Sequence, residues 1–562
     1  MRGKNVIYII LILIVAFIFR IWNIDKPEGL WNDEYIGWLI ASKPLIFDFF
    51  DALSKNCHMP IYYLLLKGWM NVFTDNDLSL RILSLICGMF SCVAMYFAGK
   101  EFKDEKLGLI CMSYAAISSI LIYFSQEVRM YQLIFCFSAL LLYFTIKIFH
   151  KQNILNLTLW GITSLAIIFT HTLGIIFVAF NSIFTLLFFF RKKQEQIKPL
   201  LTTIGLFLLL FAPTIPFILK IVKNSYASQF WSYFTPSKIL YNLTDYFSPI
   251  QLNIINTPSN FIDSIFPNGN LSLGFILFGI IPTLFAIFAI INSFRQKEAE
   301  LKYLFFPCLA YFLTLVGFSY FNKLVLVTKY SIEIYPTLIL LLCFGLSRIK
   351  TDFIKKAFFV ILFIFPVLFL LVNKNAAPKM HRNEGNKLVA DLVVASGLRP
   401  TDTIVFTYYD KDKFLKYLPA KFNSRTINKY NFQYYLSQKD YDSRTAVLEG
   451  KDIFYKNFAE NNREAFDNAF YYDFIKPMKK GDRLGIIFLK SVSFLTEDKI
   501  KKITNDKKEY DKMPLFFLVF SYTKNNSIKL SEEFLEPYYS AEYGDWEIYV
   551  FEKQNKILRR KI

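Results

Sequence analysis

The apolar segment VIYIILILIVAFIF, Val6–Phe19, follows the basic start MRGKN and precedes the bulky, charged sequence FRIWNIDKP. It supplies most of a membrane-spanning helix, which needs about 20 mainly apolar residues. A cleaved secretory signal would be followed by a cleavage site of small residues, and FRIWNIDKP contains none. We therefore predict that residues 5–22 form a first, uncleaved membrane span.

Similar apolar runs recur through the first two thirds of the chain. The 562 residues are 54% apolar and only 19% charged, whereas ordinary globular domains carry roughly 25% charged residues. Repeated runs of this kind predict a polytopic α-helical membrane protein. We predict about 11 spans, at residues 5–22, 79–99, 107–124, 130–149, 154–170, 173–190, 200–220, 272–292, 303–321, 331–347 and 357–373.

Positive charge decides the predicted orientation. Lys and Arg cluster in the short loops of one side, near residues 2–4, 100–106, 147–151, 191–198, 295–302 and 348–356. The opposite short loops hold Arg129, Lys323 and Lys329. Because cytoplasmic loops are enriched in Lys and Arg, the N-terminus is predicted to be cytoplasmic, and an odd number of spans places the C-terminal part outside the inner membrane. The net charge of +19 is explained by these loops, so nucleic-acid binding is not predicted.

The remaining segments define the predicted domains. Residues 1–373 form the membrane domain, with long outer loops at 23–78 and 221–271. The first of these loops contains NCHMPIYYLLLKGW, an amphipathic, aromatic stretch that favours a helix lying in the membrane interface. From residue 374 to 562, strand-like runs such as TIVFTYY, LGIIFLK and LFFLVFSY alternate with helical patterns such as EGNKLVADLVVASG. This alternation predicts an extracytoplasmic domain of mixed α/β class.

Several familiar kinds of site are missing from the sequence. There is no GxxxxGK[ST] phosphate loop, no HExxH motif and no GxSxG motif. The seven cysteines all lie within or beside apolar segments, without Cys/His metal spacing. We therefore predict neither a disulfide framework nor a structural zinc site.

Ionisable residues instead collect at the predicted outer ends of the spans. GLWNDEYIGW, Gly29–Trp38, carries two adjacent carboxylates in the first outer loop. Such groups at membrane depth tend to be functional, and four outer loops could line one outward cavity with them. The candidates in these loops are Asp33, Glu34, Glu127, Arg129, His171, Lys329 and Tyr330.

Each candidate also has a structural explanation. Asp33 and Glu34 could cap a helix, and Glu127 and Arg129 could pair with each other at a turn. His58 could start a helix, and His171 could occupy a turn. Lys329 could extend to lipid headgroups, as long cationic side chains do at membrane edges.

The order of these motifs resembles a known family. A long first span is followed by LWNDEY, by HMPIYYLLL, by LRILS, by SQEVRMY and finally by TKYSIEIYP. Over residues 1–350 this order is similar to that of the polytopic GT-C glycosyltransferases, in the bacterial branch related to protein O-mannosyltransferases and aminoarabinose transferases. Met59 stands where that branch usually has proline, and Lys329 where arginine is common.

The resemblance implies transfer of a sugar from a polyprenyl-phosphate donor to a glycan, lipid or protein on the outer face. The catalytic candidates are Asp33 as the base that takes the acceptor's proton, Glu34 as its support, and Glu127 as the next carboxylate to test. Fixed positive charge on Arg129 and Lys329 would stabilise the departing lipid phosphate. The full set of predicted substrate-binding residues is His58, Tyr62, Arg129, Tyr131, His171, Lys329 and Tyr330. Some GT-C relatives use a divalent metal at such carboxylates, whereas the branch that this sequence resembles generally does not, so no metal and no cofactor is predicted.

Two other classes of membrane protein are alternatives to the transferase. A transporter or flippase of lipid-linked sugars would also have many spans, but it should carry charges near the midpoints of spans and broken helices in two matching halves. A purely structural or receptor protein would not need the acidic pair. Because the ionisable groups lie at outer ends, the sequence favours the transferase.

Overall fold

The computed structural model divides the chain into two compact units, residues 1–26 with 32–380, and residues 27–31 with 381–562. The structure describes residues 2–26, 29–227, 236–248, 279–296, 298–321, 325–364, 366–368, 395, 403–406, 423–426, 479, 481–489, 539–543 and 546–552.

The regular secondary structure described in the first unit is all helical. Its helices are α1 Arg2–Ile21, α2 Asn32–Ser42, α3 Phe47–Lys55, α4 Pro60–Val72, α5 Asp77–Phe102, α6 Glu105–Ile117, α7 Ser119–Ser125, α8 Tyr131–His150, α9 Ile154–Ile168, α10 Gly174–Lys192, α11 Ile197–Phe211, α12 Ile215–Ala227, α13 Ser237–Phe247, α14 Ile281–Phe294, α15 Glu300–Phe321, α16 Tyr335–Ser347 and α17 Asp352–Phe359.

Helical structure covers each of the predicted spans at least in part. Among the described residues, five helices are long and apolar enough to cross a membrane, and the bent pair α6–α7 makes a sixth crossing if it counts as one span. Four further apolar helices are shorter, at Asn5–Ile21, Ile154–Ile168, Ile281–Phe294 and Ile332–Ser347. The membrane character is thus confirmed, and the number of 11 spans stays a prediction.

A buried arginine explains how α6 and α7 tolerate their bend of 62°. A bend leaves backbone carbonyls without intrahelical partners. Arg20, which is fully buried, donates to the carbonyls of Ala115 and Ala116 at 3.0 and 2.8 Å, and its Nε donates to Ser125 Oγ at 3.1 Å. Gly88 of α5 makes room for this contact, because a Cβ atom there would lie 2.3 Å from Ser125 Oγ.

The corner that follows α7, residues 126–130, is anchored to the end of α1. Gln126 Nε2 donates to the carbonyls of Arg20 and Trp22 at 3.0 and 2.7 Å. These carbonyls belong to the C-terminal end of α1, where four groups lack helical partners. The side chain of Gln126 therefore caps one helix and holds in place the corner that carries Glu127 and Arg129.

Helix α2 packs against the same corner so closely that the two backbones are in contact. A Cβ atom on Gly37 would lie 2.8 Å from the carbonyl oxygen of Val128, closer than real Cβ atoms come to a neighbouring oxygen. Glycine at this position therefore allows the N-terminal turn of α2, which carries Asp33 and Glu34, to pack against the corner.

The connection from α3 to α4 is a tight helix-terminating turn. His58 N donates to Leu53 O at 2.9 Å and Cys57 N donates to Ser54 O at 3.3 Å, which is the pair of bonds of a Schellman motif. Cys57 has φ 60° at the position that glycine usually occupies. The turn places His58 directly before α4, the helix predicted to lie in the interface.

The second unit contains a five-stranded sheet built from β1 Thr403–Phe406, β2 Asn423–Thr426, β3 Arg483–Leu489, β4 Tyr539–Tyr543 and β5 Trp546–Glu552. The strand order is β2-β1-β3-β5-β4. Strand β1 pairs in parallel with β2 and β3, whereas β5 pairs antiparallel with β3 and β4. Two of the predicted strands are thus β1 and β3. The predicted strand at 515–522 and, apart from residue 395, the predicted helix at 384–397 lie outside the described residues.

Candidate functional site

Three predicted outer loops meet at Asp33. Its Oδ2 atom lies 3.0 Å from Lys329 Nζ and 3.9 Å from Arg129 Nη2. Arg129 Nη1 also donates to the backbone carbonyl of Asp33 at 3.1 Å. The side chains of Asp33 and Lys329 are 19% and 17% exposed, and that of Arg129 is 4% exposed. The cluster therefore combines one carboxylate with two cations, and part of it is open to solvent.

Two tyrosines line this cluster. The ring of Tyr131, at the start of α8, has Arg129 Cζ at 5.7 Å and Lys329 Nζ at 5.9 Å from its centroid. Lys329 Nζ also lies 5.3 Å from the centroid of the Tyr330 ring. At these distances the aromatic faces attract the cations. Tyr131 and Tyr330, two of the three predicted tyrosines, therefore contact the cationic side of the cluster.

The cations control the charge of Asp33. Burial by itself raises the pKa of this carboxyl, but the charges of Lys329 and Arg129 outweigh burial and hold the pKa below its usual value. Burial likewise lowers the pKa of Lys329, and the charge of Asp33 more than reverses it, so the net shift is well above the usual value. All three groups are therefore charged near pH 7, and the cluster carries a net positive charge.

Glu34 is adjacent to Asp33 but takes part in a different cluster. Its carboxylate accepts from Arg81 Nε at 2.8 Å and from Arg81 Nη2 at 2.7 Å, and neither side chain is exposed. Val128 N donates to the same carboxylate at 3.1 Å. The charge of Arg81 overcomes the effect of burial, and the pKa of Glu34 falls to about 2. The predicted catalytic role of Glu34 remains a prediction, and its contacts favour positioning.

Glu127 and Arg129 take different partners rather than forming an ion pair with each other. Glu127 Oε1 lies 3.5 Å from Lys26 Nζ, and both side chains are buried. Arg129 N donates to the Glu127 carbonyl at 2.8 Å, so the two residues share a tight backbone turn. The geometry therefore places Arg129, and not the carboxylate of Glu127, in contact with Asp33.

The two adjacent tyrosines in the first turn of α4 have different surroundings. Tyr63 accepts from Arg129 Nη1 at 3.4 Å, and its ring stacks on His58 at 5.2 Å. Tyr62, which is 1% exposed, instead lies 3.2 Å from Ser84 Oγ of α5. The structure therefore brings His58 and Tyr63 to the cluster, whereas the predicted substrate-binding residue Tyr62 packs into the helical core.

His58 is a neutral neighbour of the cluster. The side chain is half-buried. Burial, and after it the charge of Arg129, keeps the pKa of His58 well below its usual value, although Asp33 opposes them. A neutral imidazole has one donor and one acceptor nitrogen, so His58 is suited to hydrogen bonding with a sugar hydroxyl.

His171 forms a second acid–base pair beside the cluster. Its Nδ1 atom lies 2.5 Å from Glu333 Oε1, and the two side chains are 5% and 0% exposed. The imidazole also stacks on Tyr330, with ring centroids 5.9 Å apart. Glu333 lies in the TKYSIEIYP motif, four residues after Lys329. His171 is therefore linked to the cluster through Tyr330.

Three residues that pair with these charges were not among the predicted site residues: Arg81, Lys26 and Glu333. A usable signal existed for Arg81, because a charge inside an apolar helix needs an opposite charge nearby. Within the described residues, no group of three or more His, Cys, Asp or Glu side chains could hold a metal ion. The expectation of a metal-independent site stays a prediction.

Comparison with known proteins finds a family model that matches part of the chain and a solved structure with a similar fold. Residues 57–217 match the family model described as dolichyl-phosphate-mannose-protein mannosyltransferase. No curated protein matches the sequence. The structure is similar to that of ArnT from Cupriavidus metallidurans in the apo state, with a TM-score of 0.51, 11% identity and 98% of each chain covered.

Two further solved structures are more distant. ArnT from Cupriavidus metallidurans bound to undecaprenyl phosphate matches with a TM-score of 0.45 and 11% identity over 98% of each chain. The oligosaccharyltransferase of Archaeoglobus fulgidus tethered with an acceptor peptide matches with a TM-score of 0.48 and 11% identity, over 92% of this chain and 72% of that one. Of these three structures, only the apo form of ArnT has a TM-score above 0.5, so the fold assignment depends on that match. The family match over residues 57–217 and the shared fold confirm the predicted resemblance to the polytopic membrane glycosyltransferases with the GT-C fold.

Proposed function

We propose that this protein is a glycosyltransferase that moves a sugar from a polyprenyl-phosphate donor to a hydroxyl or amine of an acceptor, with Asp33, Arg129 and Lys329 at the reaction centre. The observation that carries the proposal is the convergence of Arg129 and Lys329, from two separate loops, on Asp33 Oδ2 of a third. The predicted orientation places this centre on the outer face of the inner membrane. The acceptor is a surface glycan, a lipid or a protein.

Arg129 and Lys329 are suited to the donor phosphate. When the bond from the sugar C1 to the phosphate oxygen breaks, the phosphodiester becomes a monoester and gains negative charge. Fixed cations at the position where that charge develops stabilise the transition state. Arg129 has a spare donor, since its buried Nε has no hydrogen-bond partner among the described residues. The excess of positive charge in the cluster supports binding of an anion.

Asp33 is proposed as the base. As the acceptor oxygen or nitrogen forms its bond to C1, its proton passes to the carboxylate. In the structure Lys329 Nζ donates a hydrogen bond to Asp33 Oδ2, and a donor phosphate would compete with Asp33 for that cation. Because the charge of Lys329 is what mainly depresses the pKa of Asp33, withdrawal of Lys329 toward the phosphate raises that pKa and makes Asp33 a stronger base. Donor binding thereby activates the base.

The test is transfer from a polyprenyl-phosphate sugar by purified protein in nanodiscs. General-base assistance is worth about 10²–10⁴-fold, so Asp33→Asn should lose at least about 100-fold in kcat while still binding undecaprenyl phosphate. Asp51→Asn is the matched control, because Asp51 lies in the same outer segment but is 42% exposed and pairs with Lys55 and Lys220. If Asp33→Asn kept more than about a tenth of wild-type kcat, well short of the expected loss, the base would lie elsewhere and Glu127 would be tested next.

The same assay separates the transferase from a flippase of lipid-linked sugars. A transferase releases polyprenyl phosphate without its sugar, whereas a flippase leaves the donor intact. Mass spectrometry of surface glycans from cells with and without the gene identifies the sugar and the acceptor class. Glycans that do not differ between the two strains would exclude a surface glycan as acceptor.

A further inference from the structure

Lys329 is presented by an unusually well-anchored turn. Two short 3₁₀ helices, Thr328–Tyr330 and Ile332–Ile334, follow each other here. Thr328 and Ser331, which flank Lys329, have no exposed surface. A buried hydroxyl needs a hydrogen-bond partner, and α13 supplies partners to both of these residues.

Helix α13 lies in the second long outer segment, to which the sequence assigned no site residue. Thr328 Oγ1 donates to Asp245 Oδ2 at 2.6 Å. Tyr246 OH donates to the carbonyl oxygen of Ser331 at 2.6 Å. Asn242 Nδ2 lies 3.4 Å from Thr328 Oγ1 and 3.3 Å from Ser331 Oγ. One face of α13 therefore bonds to the turn on both sides of Lys329.

These contacts fix the backbone of the turn rather than the lysine side chain. Asn242 and Asp245 are fully buried, and Tyr246 is 1% exposed. Moving the turn would break several buried hydrogen bonds together, each of which is expensive to leave unmade. The side chain of Lys329 is 17% exposed and has four rotatable bonds. Movement of the ammonium group between Asp33 and a phosphate is therefore confined to this side chain.

We propose that Asp245 and Asn242 of α13 are positioning residues for donor-phosphate binding, acting through Thr328 and Ser331 on Lys329. This inference rests on the proposed role of Lys329 as a phosphate ligand. None of the α13 residues needs to touch the substrate. Their function is to hold the Lys329 backbone at one distance from Asp33 and from the phosphate, so that no binding energy is spent on ordering the turn.

The primary variant is Thr328→Val, which keeps the shape of the side chain and removes the hydroxyl that bonds to Asp245. Losing one buried, charge-assisted hydrogen bond should raise the Kd for undecaprenyl phosphate roughly ten-fold. Thr328→Ser keeps the hydroxyl and should restore affinity. Asp245→Asn keeps an acceptor oxygen without its charge and should give an intermediate Kd.

The matched control is Thr244→Val. Thr244 is also fully buried and also lies in α13, but its hydroxyl donates to Tyr241 O within the helix. The Thr244→Val variant should leave the Kd for undecaprenyl phosphate unchanged. Thermal unfolding of every variant in the same nanodiscs shows whether the binding measurements refer to folded protein.

A double-mutant cycle with Lys329→Gln separates positioning from a general structural effect. If Thr328 acts through Lys329, the double variant should bind undecaprenyl phosphate no more weakly than Lys329→Gln alone. An additive loss, or an unchanged Kd in Thr328→Val, would overturn the inference while leaving the phosphate role of Lys329 intact. An unchanged Kd in Lys329→Gln would instead overturn the phosphate role in the proposed function, and the inference with it.

Discussion

The Glu34–Arg81 pair and the Asp33 cluster begin at adjacent residues of α2, yet they differ in how completely their charges are matched. Glu34 and Arg81 are fully buried, carry equal and opposite charges, and are joined by two hydrogen bonds shorter than 3 Å. Asp33 faces two cations, is 19% exposed, and has its second cation at 3.9 Å. Adjacent helical residues point about 100° apart, which is how neighbours enter such different surroundings.

The comparison suggests how to separate structural charges from ligand-binding ones. A buried pair that satisfies itself in charge and geometry has nothing left to offer a ligand, and it holds α2, α5 and the 126–130 corner together. A cluster with surplus positive charge and exposed surface can still bind an anion. The two kinds of cluster therefore respond differently to mutation, in stability for the first and in catalysis for the second.

The largest effect on stability is expected from Arg81→Met. Removing one partner of a buried ion pair costs about 3–5 kcal/mol, because the remaining charge stays in a dry site. Thermal or denaturant unfolding of the purified protein measures this loss. Replacing both partners, Glu34→Met with Arg81→Met, should recover much of the stability, whereas Asp33→Asn should change it little. Wild-type stability in Arg81→Met would show that the pair is not structural.

A smaller effect, on donor binding, is expected from Arg129→Gln and Lys329→Gln. A hydrogen bond to a charged group contributes about 1.5–3 kcal/mol, so each change should raise the donor KM or lower kcat about 10–100-fold. Lys55→Gln is a suitable control, since Lys55 is a cation of the first outer segment with a 70% exposed side chain. Unchanged kinetics in both test variants would remove these cations from the site.

A still smaller effect is expected where α2 meets the corner. In Gly37→Ala the new methyl group would lie 2.8 Å from the carbonyl oxygen of Val128, and forced packing of this kind costs about 1–3 kcal/mol. Because both clusters are attached to this contact, stability and kcat should fall together. Gly68→Ala in α4 meets no atom within 4 Å and should stabilise its helix by up to about 1 kcal/mol. Equal behaviour of the two variants would show that the close approach does not matter.

The smallest effect at neutral pH is a shift in the pH profile of Lys329→Gln. In the wild type the charges of Lys329 and Arg129 hold the pKa of Asp33 below its usual value against the effect of burial. Without Lys329 that pKa rises, and because the base must be deprotonated, the acidic limb of kcat/KM should move to higher pH. The pH dependence of the residual kcat/KM of Lys329→Gln, compared with that of the wild type, measures this shift. An acidic limb that does not move would show that Asp33 is not the titrating base.

Several features of the site could be predicted from the residues alone. The loops carrying Asp33, Arg129, His171 and Lys329 are separated by apolar runs, and the even or odd number of spans between them predicts a common side. The short family motifs add the order in which these loops occur, and the family match and the shared fold confirm the resemblance. Because length and hydrophobicity are local properties, they can be read without knowing how the helices pack.

The partner of each charge could not be predicted in this way. Glu127 and Arg129 look like a pair in sequence, but the structure gives them Lys26 and Asp33. A pairing of this kind depends on how each helix is rotated about its axis, and a rotation of one residue moves a side chain to another face. The same limit applies to α13, whose sequence contains no motif that announces its bonds to the Lys329 turn.

The sequence by itself therefore determined that the chain is a membrane protein and which family it resembles, since these follow from hydrophobic length and local motifs. The tertiary structure decided that Glu34 pairs with Arg81 while Asp33 faces Lys329 and Arg129. It also decided that α13 holds the turn of Lys329, and that β3 lies between β1 and β5. These contacts join residues far apart in the chain, and only packing determines which side chains meet.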